Sequence, residues 1–230
     1  MLKNDMVEYT LTRAKRKSIA ITVKDGLIKV RAPFRSPLRE INDFVSEKEK
    51  WITDKLAEEK EEAAKRKSFS LNYGSQILYR GDLYTIKESA CRSGYFDDTS
   101  FYVPPNLTPA QIKRRCADYY KDRAAVYFEE RVCVYIEQMA VLPKGLKISS
   151  AKRRWGSCSA KSVLTFSWML LMADDDIIDY LIVHELAHLI EFNHSPRFWA
   201  VVEEYFPNYK VCEKRKKALE RKLICEDWGY

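Results

Sequence analysis

The chain has 230 residues, enough for one large domain or two small ones, and either size buries a hydrophobic core. Its 46% hydrophobic and 32% charged composition excludes a disordered chain, and no apolar run is long enough to span a bilayer. Forty Lys and Arg against 33 Asp and Glu give a net charge of +7, which tolerates anionic partners without requiring one; the excess is greatest in residues 1–67, with 17 bases and 12 acids, and no extended basic tail occurs.

In chain order, the first predicted elements are strands at Glu8–Leu11, Ile19–Val23 and Leu27–Val30, the last two joined by Asp25-Gly26, a strong hairpin signal. Ser36-Pro37 stands in the favoured order for opening a helix, which continues through Ile41, Phe44, Val45, Trp51, Ile52 and Leu56. Near residue 66 it dissolves into Glu and Lys and reads as a solvated helix end. Short strands return between Tyr73 and Val103, punctuated by Gly74, Gly81 and Gly94, and Pro104-Pro105 marks a boundary near residue 104. Thr108-Pro109 starts a long amphipathic helix through Met139, stopped by Pro143-Lys144-Gly145. Two strands, Leu146–Ser149 and Val163–Leu170, flank a basic turn from Lys152 to Cys158, and the rest reads as helical. The expected fold class is α+β. Residues 1–104 form an amino-terminal region of β-hairpins with a long helix, and residues 105–230 a mainly helical half with a small antiparallel sheet. Whether these are two domains or one continuous core stays open.

The six cysteines show no C-x-x-C and no short paired spacing, which excludes a disulfide framework or a cysteine-only zinc site. The first residues lack the apolar stretch of a secretory signal, so the expected location is cytoplasmic.

All three histidines, His184, His188 and His194, fall within eleven residues, and the first two belong to His184-Glu185-Leu186-Ala187-His188. Residues four apart on a helix lie on one face and can aim two imidazoles at one metal ion. Glu185 then stands beside the metal, where a carboxylate can orient water and accept its proton. The helix is well marked: Asp174-Asp175-Asp176 suits its amino-terminal dipole, and Ile177 to Ile190 is apolar on all sides, which predicts burial. An unpaired buried carboxylate and two unpartnered imidazoles are each unfavourable, and a metal resolves both. The competing reading has two core histidines bonded to backbone and a surface glutamate.

His194 is the natural third ligand, with Asn193 in the left-handed conformation turning the chain back and Ser195-Pro196 capping a new helix. Three histidines on one zinc leave a fourth position for water. The rival third ligand is Glu203 or Glu204 on that second helix.

The histidine spacing matches the extended metzincin motif, but that motif's glycine is here Glu191 and no methionine follows Met172. The sequence more closely resembles the YgjP-like family, related to the SprT-like and WLM metallopeptidases of the zincin group. The resemblance is carried by Arg154-Trp155-Gly156-Ser157-Cys158-Ser159, the approach Ile178 to Val183, the His184–His188 motif, and Asn193-His194-Ser195 with Phe198-Trp199. It implies a zincin-like catalytic half with His184, His188 and His194 on one zinc ion and Glu185 as general base. Thr165-Phe166-Ser167-Trp168 departs from the Asn-Trp-Arg type of sequence found in relatives, and a contact at the edge of the active site is expected to differ.

In the basic turn, Gly156 allows close backbone approach, and Arg153 or Arg154 can hold an anionic substrate group or an oxyanion. Alternatively Trp155 packs under the metal helix and an arginine pairs with Asp174, Asp175 or Asp179. Cys158 reads as a small buried thiol rather than a nucleophile, because no fourth histidine remains to activate it.

The leading function is zinc-dependent hydrolysis of a metallopeptidase kind, acting on a protein or peptide. The same site can instead cleave a nucleoside triphosphate as a metal-dependent pyrophosphohydrolase, with Arg153, Arg154 and Arg197 neutralising phosphate. A third class is a DNA-associated module with a structural metal, in which the basic first 67 residues hold nucleic acid. No membrane partner is expected.

Overall fold

Asp25 and Gly26 both adopt positive φ, 55° and 71°, the geometry that joins two strands whose twist must be preserved across a two-residue turn. The turn joins Ala20–Lys24 (β3) to Leu27–Pro33 (β4) in antiparallel register, Lys24 opposite Leu27. The computed structural model describes residues 7–228 together with the backbone of Leu2 and Lys3. Strand Glu8–Ala14 (β2) pairs with β4 in parallel, and Leu2–Lys3 (β1) closes the order β1-β2-β4-β3. The amino-terminal sheet therefore contains the expected β3–β4 hairpin, the antiparallel pair β1–β2 and the parallel pair β2–β4.

The helix expected from Ser36 is two helices, Leu38–Glu47 (α1) and Glu49–Ser68 (α2), separated where Lys48 leaves helical geometry at φ −96° and ψ 7°. Pro37, not Ser36, occupies the cap, so no side chain caps α1. Arg13 reaches across instead and donates to the carbonyls of Pro33, Phe34 and Ser36 at 2.8–3.1 Å. Tyr9, Ile28, Val30 and Ala32 of the sheet bury against Ile41, Val45 and Ile52 of the helices. Beyond Leu56, which still packs against this core, α2 carries ion pairs such as Lys65–Glu61 at 2.6 Å, as expected of a solvated helix end.

The chain divides into two compact units, 1–68 and 69–230, so the boundary falls at Ser68–Phe69 rather than near residue 104. The physical reason lies in residues 69–104. Strands Gln76–Tyr79 (β5), Asp82–Glu88 (β6), Tyr95–Phe96 (β7) and Ser100–Val103 (β8) form a sheet of order β5-β6-β8-β7, whose Ile77, Ile86, Phe101 and Val103 belong to the core of the second unit.

Helix Pro109–Met139 (α3) opens with a capping box between Thr108 and Gln111 and Pro109 in its first turn. It ends at Ala140 in the left-handed conformation, φ 50°, three residues before the Pro143-Lys144-Gly145 stop. Its Ile112, Cys116, Tyr120, Ala124, Phe128, Val132, Tyr135 and Met139 repeat every three or four residues and fill the core.

Gly145–Ser149 (β9), Gly156–Cys158 (β10) and Val163–Ser167 (β11) form a sheet of order β10-β11-β9. Only the β10–β11 pair is antiparallel; β11 and β9 run parallel, so this small sheet is mixed rather than antiparallel. β11 stops at Ser167, and Trp168–Met172 forms a buried 3₁₀ turn where the strand was expected to continue. Helices Asp175–Ala187 (α4), Pro196–Tyr205 (α5) and Tyr209–Leu223 (α6) complete the unit. The α+β class holds, and among the described residues no helix is long and apolar enough to cross a membrane.

Candidate metal centre

α4 begins with Asp174 as its cap, accepting from the Ile177 amide at 3.2 Å, and Asp175 and Asp176 in its first turn. Three arginines from three elements hold these acids. Arg80, in the β5–β6 turn, donates from Nε to Asp175 at 2.9 Å; Arg131 of α3 donates to Asp179 at 2.7 Å; Arg215 of α6 pairs with Asp174 at 2.7 Å. The acids of α4 thus pair with these arginines and not with Arg153 or Arg154. Every residue from Ile177 to Ala187 is buried except His184, which is half-buried.

His188 is the C-cap residue of α4, still near helical geometry at φ −66° and ψ −14°. The chain then turns through tight bonds, Leu189 to Leu186, Ile190 to Ala187 and Glu191 to Ala187. Asn193 is not among the residues with positive φ; the reversal is made by these successive short turns instead of a left-handed residue. Ser195 caps α5 by accepting from the Phe198 amide, with Pro196 in the first turn.

This path brings the three imidazoles together. Nε2 of His194 lies 3.0 Å from Nε2 of His184, and one donor nitrogen from each of the three rings falls within 4.8 Å of the others. Phe198, fully buried, forms a floor touching all three rings at centroid distances of 4.5–4.9 Å. Trp199 stacks on His194 at 5.7 Å and in turn on Tyr209 at 5.2 Å, which steadies the exposed third ring. Glu203 and Glu204, on the exposed side of α5, stand outside this group.

The donor set fits a zinc ion. Zn–N bonds of about 2.0–2.1 Å in a tetrahedral site put ligand nitrogens roughly 3.3 Å apart, close to the His184–His194 spacing. Burial and the neighbouring His188 and His194 lower the His184 pKa to about 3, and burial lowers His188 as well, so both rings stay in the neutral form that binds a cation. At 3.0 Å the two Nε2 atoms share one hydrogen bond, and an ion can take the place of that proton.

Glu185, the next residue after His184, lines the same cleft as His184 and His194. Burial pushes its carboxyl up to about 7, against the opposing pull of the Cys158 backbone amide, Lys216 and Arg154. It packs against Gly156 of β10: a Cβ on that glycine would lie 2.5 Å from Oε1 of Glu185. The Arg-Trp-Gly turn is thus the strand edge that holds the carboxylate. Trp155 is buried beneath it, and Cys158 is a free, half-buried thiol whose pKa is raised by burial and by Glu185.

His184, Glu185 and His194 open on one cleft of about 460 Å³. Arg153 and Arg154 line it beside His184, Glu185 and His194, with Lys216 and Lys217 of α6, Tyr180 and Trp199. Arg197, exposed on α5, is not among the lining residues; α6 contributes the other cations. Lys216 and Lys217 escaped the sequence reading because α6 reads as a charged helix until its contacts are known. The divergent Phe166-Ser167-Trp168 segment is buried in the core, with Trp168 Nε1 donating to Ser150 at 3.2 Å, so the departure falls in packing rather than at the cleft.

The YgjP-like metallopeptidase domain matches residues 17–221 of this chain. The chain belongs to the YgjP-like family. The match makes it a metallopeptidase-family protein, expected to depend on a divalent metal, and gives no support to association with nucleic acid. One similar solved structure is that of the metallopeptidase zymogen of Pyrococcus abyssi abylysin, 26% identical over 39% of this chain and 91% of its own, with a TM-score of 0.37. No curated protein matches the chain.

Proposed function

We propose that this YgjP-like protein is a zinc-dependent hydrolase of peptide bonds, with His184, His188 and His194 holding the ion and Glu185 as general base. The observation that carries the reading is the convergence of three imidazoles, two of them held neutral, beside a carboxyl that burial has raised toward neutral pH. A bound zinc ion supplies Lewis acidity, polarising a carbonyl and making nearby water more acidic. Glu185 takes the proton of the attacking water and returns it to the leaving amine. A carboxylate of ordinary pKa is a weak base near pH 7, and one raised toward 7 suits both transfers.

The test is Glu185→Gln in full-length protein loaded with zinc, assayed on fluorescein-labelled casein. The reading expects one zinc per chain in wild type and variant, and turnover only in wild type. Turnover that survives in the variant removes Glu185 as the base.

A second reading, hydrolysis of a nucleoside triphosphate between phosphates, is favoured by the four cations lining the cleft, Arg153, Arg154, Lys216 and Lys217. Pyrophosphate release from nucleotides, with casein untouched, selects it.

A further inference from the structure

The inward stripe of α6 runs through Cys212, Lys216, Leu219 and Leu223. Cys212 and Leu223 are 2% exposed and Leu219 packs on the core. Three of these four positions are apolar; the fourth carries an ammonium whose side chain is only 19% exposed. A cation loses hydration at such a position, and the stripe would pack better with a leucine there. The other lysines of α6, Lys210, Lys214, Lys217 and Lys222, all face solvent.

Lys216 is also held in place. Its Nζ lies 2.7 Å from Glu220, one turn along, and 5.9 Å from the ring centre of buried Trp155. The side chain thereby lines the cleft with His184, Glu185 and Trp199. Its charge reaches both sides of the candidate centre, drawing the Glu185 carboxyl down against burial and helping to keep His184 neutral. Arg153 and Arg154 line the same cleft but are exposed, where solvent screens their charge.

We propose that Lys216 is the cation that stabilises the oxyanion formed during hydrolysis. The proposal rests on the hydrolase reading above. The oxygen of water bonds to the substrate carbonyl carbon as one of its protons passes to Glu185, and the π electrons of the C=O bond move onto the carbonyl oxygen. The negative charge develops there, in the cleft that the Lys216 side chain lines. Collapse restores C=O, breaks the C–N bond, and sends the proton from Glu185 to the departing amine. A preorganised donor acts most strongly on the charge present only in the transition state.

The experiment compares zinc-loaded full-length wild type, Lys216→Met and Lys216→Arg. Methionine keeps the length and packing of the stem without the charge. Two quantities are read: kcat and KM on fluorescein-labelled casein, and by calorimetry the Kd of a dipeptide phosphinate, whose tetrahedral anion copies the oxyanion. Lys216→Met is expected to keep its zinc and its Tm, lose kcat about a hundredfold with little change in KM, and weaken phosphinate binding by a similar factor. Lys216→Arg is expected to recover most of both. A purely structural Lys216 would instead lower Tm or zinc content and leave the phosphinate Kd of the folded fraction unchanged. The proposal is overturned if Lys216→Met holds kcat and phosphinate Kd within about threefold of wild type. If Glu185→Gln is inactive in the same series, the hydrolase reading survives that failure. A zinc-loaded wild type that neither cleaves casein nor binds the phosphinate sinks both.

Discussion

Gly156 and Glu185 meet across the boundary between a strand edge and the buried helix, so closely that a methyl group on the glycine would sit 2.5 Å from one carboxylate oxygen and 2.9 Å from Cγ. The space beside the strand is what allows the carboxyl to lie along the cleft. Leu181, 3.0 Å from the same position, closes the remaining route for adjustment.

Gly156→Ala should therefore displace the Glu185 carboxylate while leaving the histidines in place. A shift of about 1 Å in a positioned catalytic group lowers turnover on the order of a hundredfold. Zinc content by elemental analysis should match wild type, and kcat on labelled casein should fall. Unchanged kcat in a folded variant would contradict the contact.

The bridge between Arg131 and Asp179 joins α3 to the helix that carries the metal motif, and Asp179 is 7% exposed. Arg131→Met strands a buried carboxylate and should destabilise the protein by about 3 kcal/mol. Adding Asp179→Asn to it should restore a large part of that loss, because the uncompensated charge is gone. Urea unfolding of the single and double variants measures both.

Asp175 has a pKa below the ordinary carboxylate value, chiefly through its bond from Arg80 and secondarily from Tyr127, opposed by partial burial. A carboxylate depressed in the folded state adds stability above its unfolded pKa of about 3.9, and that contribution disappears as pH falls through the lower folded value. Asp175→Asn should thus be less stable than wild type at pH 7, with the gap closing below about pH 4. Chemical denaturation at both pH values checks the sign; a gap that widens in acid would be the wrong one.

Chelation should remove activity without unfolding the protein, since the core of residues 69–230 is built from the sheets and helices around the site. Zinc binding to the folded state alone raises stability by about 4 kcal/mol at a thousandfold excess over Kd. The apo protein should therefore melt cooperatively at a lower Tm and regain both Tm and turnover when zinc is returned. His194→Ala, which takes away the exposed ring stacked on Trp199, should weaken zinc binding in competition with a chromogenic chelator.

What could be read along the chain is what depends on near neighbours in sequence. The Asp25-Gly26 turn, the Thr108-Pro109 and Ser195-Pro196 helix starts, the buried helix from Asp174 and the four-residue offset of His184 and His188 are all local patterns, because turn geometry and helical period act over a few residues. Tertiary structure alone decided the rest. The boundary at residue 68, the parallel pairing of β9 with β11, the partners of Asp174, Asp175 and Asp179, and Lys216 beside Glu185 each require segments distant in sequence to meet. Asn193 shows the limit from the other side: its composition suits a left-handed turn, yet the packing of α4 and α5 made the reversal with successive tight turns. Local propensity offers conformations at modest free-energy differences, and the larger burial and ion-pair energies of the assembled core select among them.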